Sequence, residues 1–224
     1  MKTASTLFNE QQRQLIEAAV TEAEQGTAGE IVPVVATVSG RYDRAEDLFG
    51  LLLGLVALVV IWVMFQDTTE TAWTAGHTPT LGLAVVIAII VAGFLAGASL
   101  ATRFPVLRLP FIPPSEMRHE VERRALEAFQ RYRIRTTRGG TGVLIYVSLY
   151  EHMVRVVGDD AVMEKISRED WEGICRLVVD GMKADNAAQG LTLAIRQSGE
   201  LLARHFPILP DDHNELSNEL ILID

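Results

Sequence analysis

Cysteine is nearly absent from this sequence. The single thiol, Cys175, excludes an internal disulfide and a cysteine-built zinc site, and it fits a reducing compartment. It lies beside Ile174 and Val178 on the apolar side of an expected helix, which makes it a core residue rather than a nucleophile. A basic surplus is also missing. Twenty Lys and Arg stand against 29 Asp and Glu, a net charge of −9, and this sets aside nucleic-acid binding, which needs concentrated positive charge to displace counterions. No nucleophile elbow, HExxH, P-loop or dinucleotide fingerprint occurs. His77, His119, His152, His205 and His213 are scattered, and no base–nucleophile pair emerges. The opening MKTASTLFNEQQRQLIEAA has no apolar central region, which argues against export by signal cleavage.

Charge is missing altogether from two long runs, Leu48 to Phe65 and Leu81 to Ala101, of 18 and 21 residues. At a rise of about 1.5 Å per residue they span about 27 and about 32 Å, which matches a hydrocarbon core of about 30 Å. The first run carries 13 Leu, Ile, Phe or Val residues, enough to favour insertion by roughly 5 kcal/mol before its glycines are discounted. A buried pair of soluble helices would need a larger surrounding domain than 224 residues supply. Neither run holds an ionisable residue, which argues against a transporter or channel. Basic residues flank the pair (Arg41, Arg44, Arg103, Arg108), whereas the intervening QDTTETAWTAGHTPT has no Lys or Arg. The positive-inside rule therefore puts both termini in the cytoplasm and the loop, with His77, outside. Trp62 and Trp73 bracket the outer end of the first span. Gly50 and Gly54 in one run, and Gly93 and Gly97 in the other, are spaced for close helix packing, although glycine is also simply frequent in membrane helices.

The remaining segments have the patterns of a water-soluble α/β domain. Asn9 and Gln12 form a capping box for a helix carrying Leu15, Ile16, Ala19, Val20 and Ala23, with Phe8 as hydrophobic staple and Gly26 ending it. GEIVPVVATVSG is a strand apolar on both alternations, in which Pro33 favours an edge or irregular position. RFPVLRLPFIPP is expected as an extended segment along the membrane interface. Ser115 then caps a helix with an apolar stripe of Met117, Val121, Ala125, Ala128, Phe129 and Tyr132. Its other faces carry Arg118, Arg123, Arg124, Arg131, Arg133 and Arg135. These suit anionic lipid headgroups or, equally, local pairing with Glu120, Glu122 and Glu127. Val143 to Leu149 and Met153 to Val157 make a hairpin around Tyr150-Glu151-His152. Ser167 and Asp170 open a helix carrying Trp171, Ile174, Cys175, Val178, Val179 and Met182. A last helix runs from Ala187 to His205, stopped by Pro207, and PDDHNELSNEL is an acidic tail, poorly ordered unless docked. Neither half has strands enough for a sheet of its own, so the two share one and the apolar hairpin interrupts the domain. The expected fold is a small mixed-sheet α/β sandwich flanked by helices, with an inserted two-helix transmembrane hairpin. Residues 1–44 and 113–206 form the domain, 45–112 the hairpin and connector, and 207–224 the tail.

GEIVPVV after a helix, then GGTGVLIYVSLYEHMVRVVGDDAV and two closing helices, resembles the TPM domain, an α/β-sandwich module of a thylakoid-lumen photosystem repair protein and of many bacterial membrane proteins. The resemblance implies a divalent-cation site to which an Asp-Asn pair ahead of the Gly-Val-Leu strand contributes, and phosphatase activity in some members. In this sequence that stretch is Gly140-Thr141-Gly142-Val143-Leu144, without the Asp-Asn pair. Asp159 and Asp160 are the acidic pair that remains at a matching position, either as ligands for Ca²⁺ or Mg²⁺ or, without metal, as a helix cap. Relatives often sit on the exported side of a membrane; the arginines here place the domain in the cytoplasm.

The reading is therefore a TPM-like domain anchored in a bacterial inner membrane as a multi-pass protein, acting as a non-catalytic interaction or assembly module on the cytoplasmic face. LemA-type membrane proteins, suggested by the family, or further copies of the chain are its expected partners, and no cofactor is expected beyond Ca²⁺ or Mg²⁺. The alternative is a metal sensor or a divalent-metal phosphoester hydrolase using Asp159 and Asp160, with Arg155 binding phosphate.

Overall fold

The computed structural model describes residues 2–65, 82–208 and 213–224. The chain divides into two units: residues 1–40 together with 117–224, and residues 41–116.

The first unit is built on a four-stranded sheet. Helices α1 (Ala4–Leu7) and α2 (Glu10–Glu24) precede β1 (Glu30–Ala36). The Asn9 side chain accepts from the Gln12 backbone N–H at 2.8 Å and the Gln12 side chain accepts from the Asn9 N–H at 2.9 Å, closing the capping box that starts α2. β1 pairs in parallel with β2 (Gly142–Ser148), which turns back into antiparallel β3 (Met153–Gly158). The parallel pair needs a long crossover, and the whole second unit lies within it. The short helix α6 (Asp160–Lys165) follows β3. Ser167 then caps α7 (Arg168–Lys183) by accepting from the Asp170 N–H, and α8 (Ala187–His205) completes the helical layer.

The acidic tail does dock: Ile221–Ile223 forms β4, parallel to Val34–Ala36, giving the order β3-β2-β1-β4. This makes β1 an interior strand, yet β4 begins opposite Val34, one residue beyond Pro33. The Thr37 N–H donates to Ile223, so the alternating N–H groups of β1 place the absent one of Pro33 on the β4 side, just short of its partner. The proline costs no ladder bond there.

Alternation along β1 and β2 feeds two cores, which is why both strands are apolar throughout. Ile31, Val35, Val143, Ile145 and Val147 face α2, α7 and α8, packing on Ile16, Trp171, Ile174, Leu191 and Leu202. Val32, Val34, Ala36, Leu144 and Tyr146 face the other way, against Val121, Ala125 and Phe129. The second group belongs to the helix Pro114–Arg131, labelled α5 below. It begins at Pro114, which makes Ser115 an interior residue of the first turn rather than the cap. It also ends at Arg131: Arg133 turns left-handed (φ 56°) and Arg135 sits in a 3-10 turn, so neither extends the basic helix.

The second unit holds α3 (Asp43–Phe65) and α4 (Leu83–Arg103), both long and apolar enough to cross a membrane. A Cβ built on Gly93 would lie 2.6 Å from the Gly54 Cα, and one on Gly97 would lie 2.8 Å from the Gly50 Cα, so the two backbones meet through these glycines. Leu51, Leu52, Leu55, Val56, Val59 and Val63 stay exposed on the outside of α3. Trp73, His77, the loop at 66–80 and the first residue of the second expected span lie outside the described residues. The proline-rich RFPVLRLPFIPP is a 3-10 helix over Pro105–Phe111 rather than an extended strand. Proline fixes only φ, at a value shared by polyproline and 3-10 backbones, and the i→i+3 bond from the Leu107 N–H to the Phe104 carbonyl selects the latter. At the base of the hairpin, half-buried Glu46 accepts from Thr102 at 2.8 Å and pairs with Arg108, tying that turn to α3.

Candidate functional site

Asp159 and Asp160 are adjacent in sequence, but their side chains diverge. Asp159 has the extended backbone of a helix N-cap (φ −61°, ψ 156°), yet its Oδ2 accepts from the Gly142 N–H at 3.1 Å instead of capping α6, and the residue is buried. That bond clamps the end of β3 to the start of β2. The Asp160 carboxyl is almost wholly exposed and stands 4.0 Å from Arg135. Arg155 lies opposite Tyr146 in the β2–β3 register, three residues up β3 from Gly158. Among the described residues, no three His, Cys, Asp or Glu side chains converge as a metal site.

The arginines of α5 divide. Arg123 bonds Glu120 at 2.6 Å and also pairs with Glu127, and it is held above its ordinary value chiefly by the Glu120 hydrogen bond. Arg124 reaches Glu127 at 3.1 Å while its Nε donates to the Ser39 carbonyl at 3.0 Å. Arg131 lies 5.9 Å from the Tyr132 ring centroid and is exposed, as is Arg118. Cys175 is half-buried in α7, and burial pushes its thiol up, away from the reactive thiolate.

Where β1 and β2 end, the structure gathers a polar cluster that the sequence reading did not single out. Ser39, Tyr146, Ser148 and Glu151 are all buried on the α5 side of the sheet. The N–H groups of Ser39 and Gly40 donate to Glu151 Oε1 at 3.0 and 3.1 Å. Ser148 donates to Glu151 Oε2, Ser39 Oγ lies 2.6 Å from Ser148 Oγ, and Tyr146 Oη lies 3.0 Å from Ser39 Oγ. With Ser148 donating to the carboxylate, the hydroxyls order as Tyr146 to Ser39 to Ser148 to Glu151. Burial raises the Tyr146 phenol, so it stays protonated as the first donor of the row. Carboxyl ends of parallel strands are where α/β sheets commonly form sites. Here that position fixes the backbone at Ser39-Gly40, where β1 leaves for the hairpin. The sequence signals were a charged residue inside a tight hairpin turn, Tyr150-Glu151-His152, and a Ser-Gly exit from an apolar strand.

A second cluster lies at the opposite end of β1. Glu24 accepts from the Ile31 N–H at 2.8 Å, and buried Glu30 accepts from the Glu215 N–H at 3.0 Å. Thr21, Thr27, His213, Asn214 and Asn218 complete a cleft of about 200 Å³ around the two carboxyls. Burial first, then the nearby Glu30 charge, pushes the Glu24 carboxyl up to about 8 against the opposing bond from Ile31.

Residues 111–201 match the TPM domain family. Over that segment the chain is similar to the TPM domain. The match takes in α5, β2, β3, α6, α7 and most of α8, while β1, α2 and β4, which complete sheet and core, lie outside it. The NMR structure of the BA42 protein from the psychrophilic bacterium Bizionia argentinensis has the same fold. It superposes with a TM-score of 0.57 at 19% identity, covering 96% of this chain and 94% of that one. No curated protein matches the sequence. In this chain the stretch ahead of β2 is the turn Arg138–Thr141, with Gly140 left-handed (φ 59°) and the Arg138 N–H bonded to Glu215.

Proposed function

We propose that the chain is a membrane-anchored TPM domain acting as a non-catalytic interaction or assembly module, held on the cytoplasmic face of a bacterial inner membrane by its α3–α4 hairpin. The observation that carries the anchoring is the hairpin itself. Its helices close on one another through Gly50, Gly54, Gly93 and Gly97, and their large apolar side chains are left facing outward. Those side chains need a hydrocarbon neighbour. Orientation rests on Arg41, Arg44, Arg103 and Arg108 at the open end of the hairpin against none in residues 66–80. An interaction role is favoured by how the acidic groups are used: Glu151 and Asp159 are spent on backbone N–H groups of the domain's own strands and turns. A divalent-metal phosphoester hydrolase would require Asp159 to leave Gly142 and turn towards Asp160.

The test uses single cysteines in a Cys175→Ser background. Thr68→Cys in intact spheroplasts should react with a membrane-impermeant maleimide, while Asp185→Cys should react only after lysis. The reverse pattern overturns the orientation, and release of the protein by carbonate extraction overturns the anchoring. Co-purification of a membrane protein after mild solubilisation, lost when the Glu151 clamp is removed, then tests the assembly role.

A further inference from the structure

The carboxyl end of β2 has a second feature, on the sheet face opposite the Ser39–Glu151 cluster. A cavity of about 450 Å³ opens there between the β2–β3 turn and the last turn of α7. Val147, Leu149, Val154, Val179 and Met182 wall it, and two exposed residues, His152 and Lys183, stand at its edge. The volume is within the range of about 300–1,000 Å³ that small-molecule sites occupy. The walls offer carbon almost throughout, because the one lining hydroxyl, Ser148, is committed to Ser39 and Glu151. A ligand with a polar body would lose its hydrogen bonds to water without replacing them. The mouth differs from the walls: Lys183 makes no ion pair among the described residues, and its long stem lets the ammonium reach a ligand at the rim. His152 is held by a left-handed backbone (φ 52°) that fixes where its ring leaves the turn.

We infer that this cavity binds a small anionic amphiphile, an acyl chain of about eight carbons carrying a carboxylate, with the chain against Val147, Val154, Val179 and Met182 and the head beside Lys183 and His152. The inference goes beyond the assembly reading and does not depend on it. An acyl chain could come from free carboxylate in solution or from a bilayer lipid, and the chain's methionines separate the two. Met153 and Met182 line the cavity, whereas Met64 lies near the end of α3.

The experiment is methyl NMR of full-length protein carrying ¹³C-methyl methionine in lipid nanodiscs, titrated with hexanoate, octanoate, 1-octanol and octylammonium. Octanoate should shift the Met182 methyl saturably. Each methylene that enters the cavity tightens binding about fourfold, so octanoate should bind about fifteenfold tighter than hexanoate. Lys183→Ala should weaken octanoate by about fivefold and leave octanol unchanged, as expected of one exposed charge. Val179→Trp, which fills the cavity, should abolish the Met182 shift while the methionine resonances away from the cavity report an intact fold. A shift confined to Met64, or one that never saturates, means partitioning into the bilayer and overturns the site. Equal binding of octylammonium and octanoate, or retention of the Met182 shift in a folded Val179→Trp protein, overturns it as well.

Discussion

The carboxyl pair at the foot of β1 predicts how stability depends on pH. Glu24 is pushed from 4.5 to about 8 by burial and by Glu30, while the segment bearing Glu215 and Asn218 closes over both on its way to β4. A raised acid binds its proton more tightly in the native state. Its contribution is therefore fully present below the unfolded value near 4.5, falls as pH rises, and is gone above about 8. At about 1.4 kcal/mol per pH unit the loss between pH 5 and pH 8 is bounded at about 4 kcal/mol. Water reaching the cleft reduces it, and about 2–3 kcal/mol is the expected figure. Urea unfolding in detergent, followed by the buried Trp171, should give greatest stability near pH 5 and a plateau above pH 8. Glu24→Gln, neutral at every pH, should remove most of that slope and exceed the parent at pH 8.5 by about 2–3 kcal/mol. Hydrogen exchange of peptides spanning 213–224, corrected for the intrinsic rate, should show protection falling over the same window in the parent only. Parallel pH profiles for the parent and Glu24→Gln would refute the reasoning.

Glu151→Gln should cost about 3 kcal/mol in the same unfolding assay, because the amide oxygen still accepts from Ser39 and Gly40 while the Ser148 hydroxyl loses its charged acceptor, worth about 1.5–3 kcal/mol; a loss under 1 kcal/mol would mean the cluster is incidental. Gly93→Leu should force α3 and α4 apart, since even a Cβ would meet Gly54 at 2.6 Å, and cross-linking of cysteine pairs across the hairpin should fall sharply while unchanged cross-linking would exclude the glycine contact as its organiser. Asp159→Ala leaves the Gly142 N–H without its acceptor and should cost about 1–2 kcal/mol, with or without added Ca²⁺ or Mg²⁺; calorimetric metal binding lost in Asp159→Ala/Asp160→Ala would instead revive the metal reading.

Much of this molecule follows from local physics, and that part was legible in the sequence. The charge-free runs, the Asn9–Gln12 box, the Ser167 cap, the span of α8 and the β2–β3 hairpin each depend on residues within one or two turns of one another. That the two halves share one sheet also followed from counting strands, because neither half could bury its apolar faces alone. The proline-rich RFPVLRLPFIPP, expected to be extended, is a 3-10 helix over Pro105–Phe111 for a local reason of another kind: a fixed φ does not choose between extended and 3-10 backbone.

Only the tertiary structure decided the rest, because those features join residues far apart in the chain. β4 is a three-residue strand in an acidic tail, with no periodicity to announce it, and it exists because β1 offers an open edge beyond Pro33. Glu151 gains its meaning from Ser39, Glu24 from Glu30 and the returning 213–218 segment, and Asp159 from Gly142 rather than from its sequence neighbour Asp160. A sequence states which groups carry charge; which charges lose their water, and which backbone N–H groups receive them, is settled only when the strands come together.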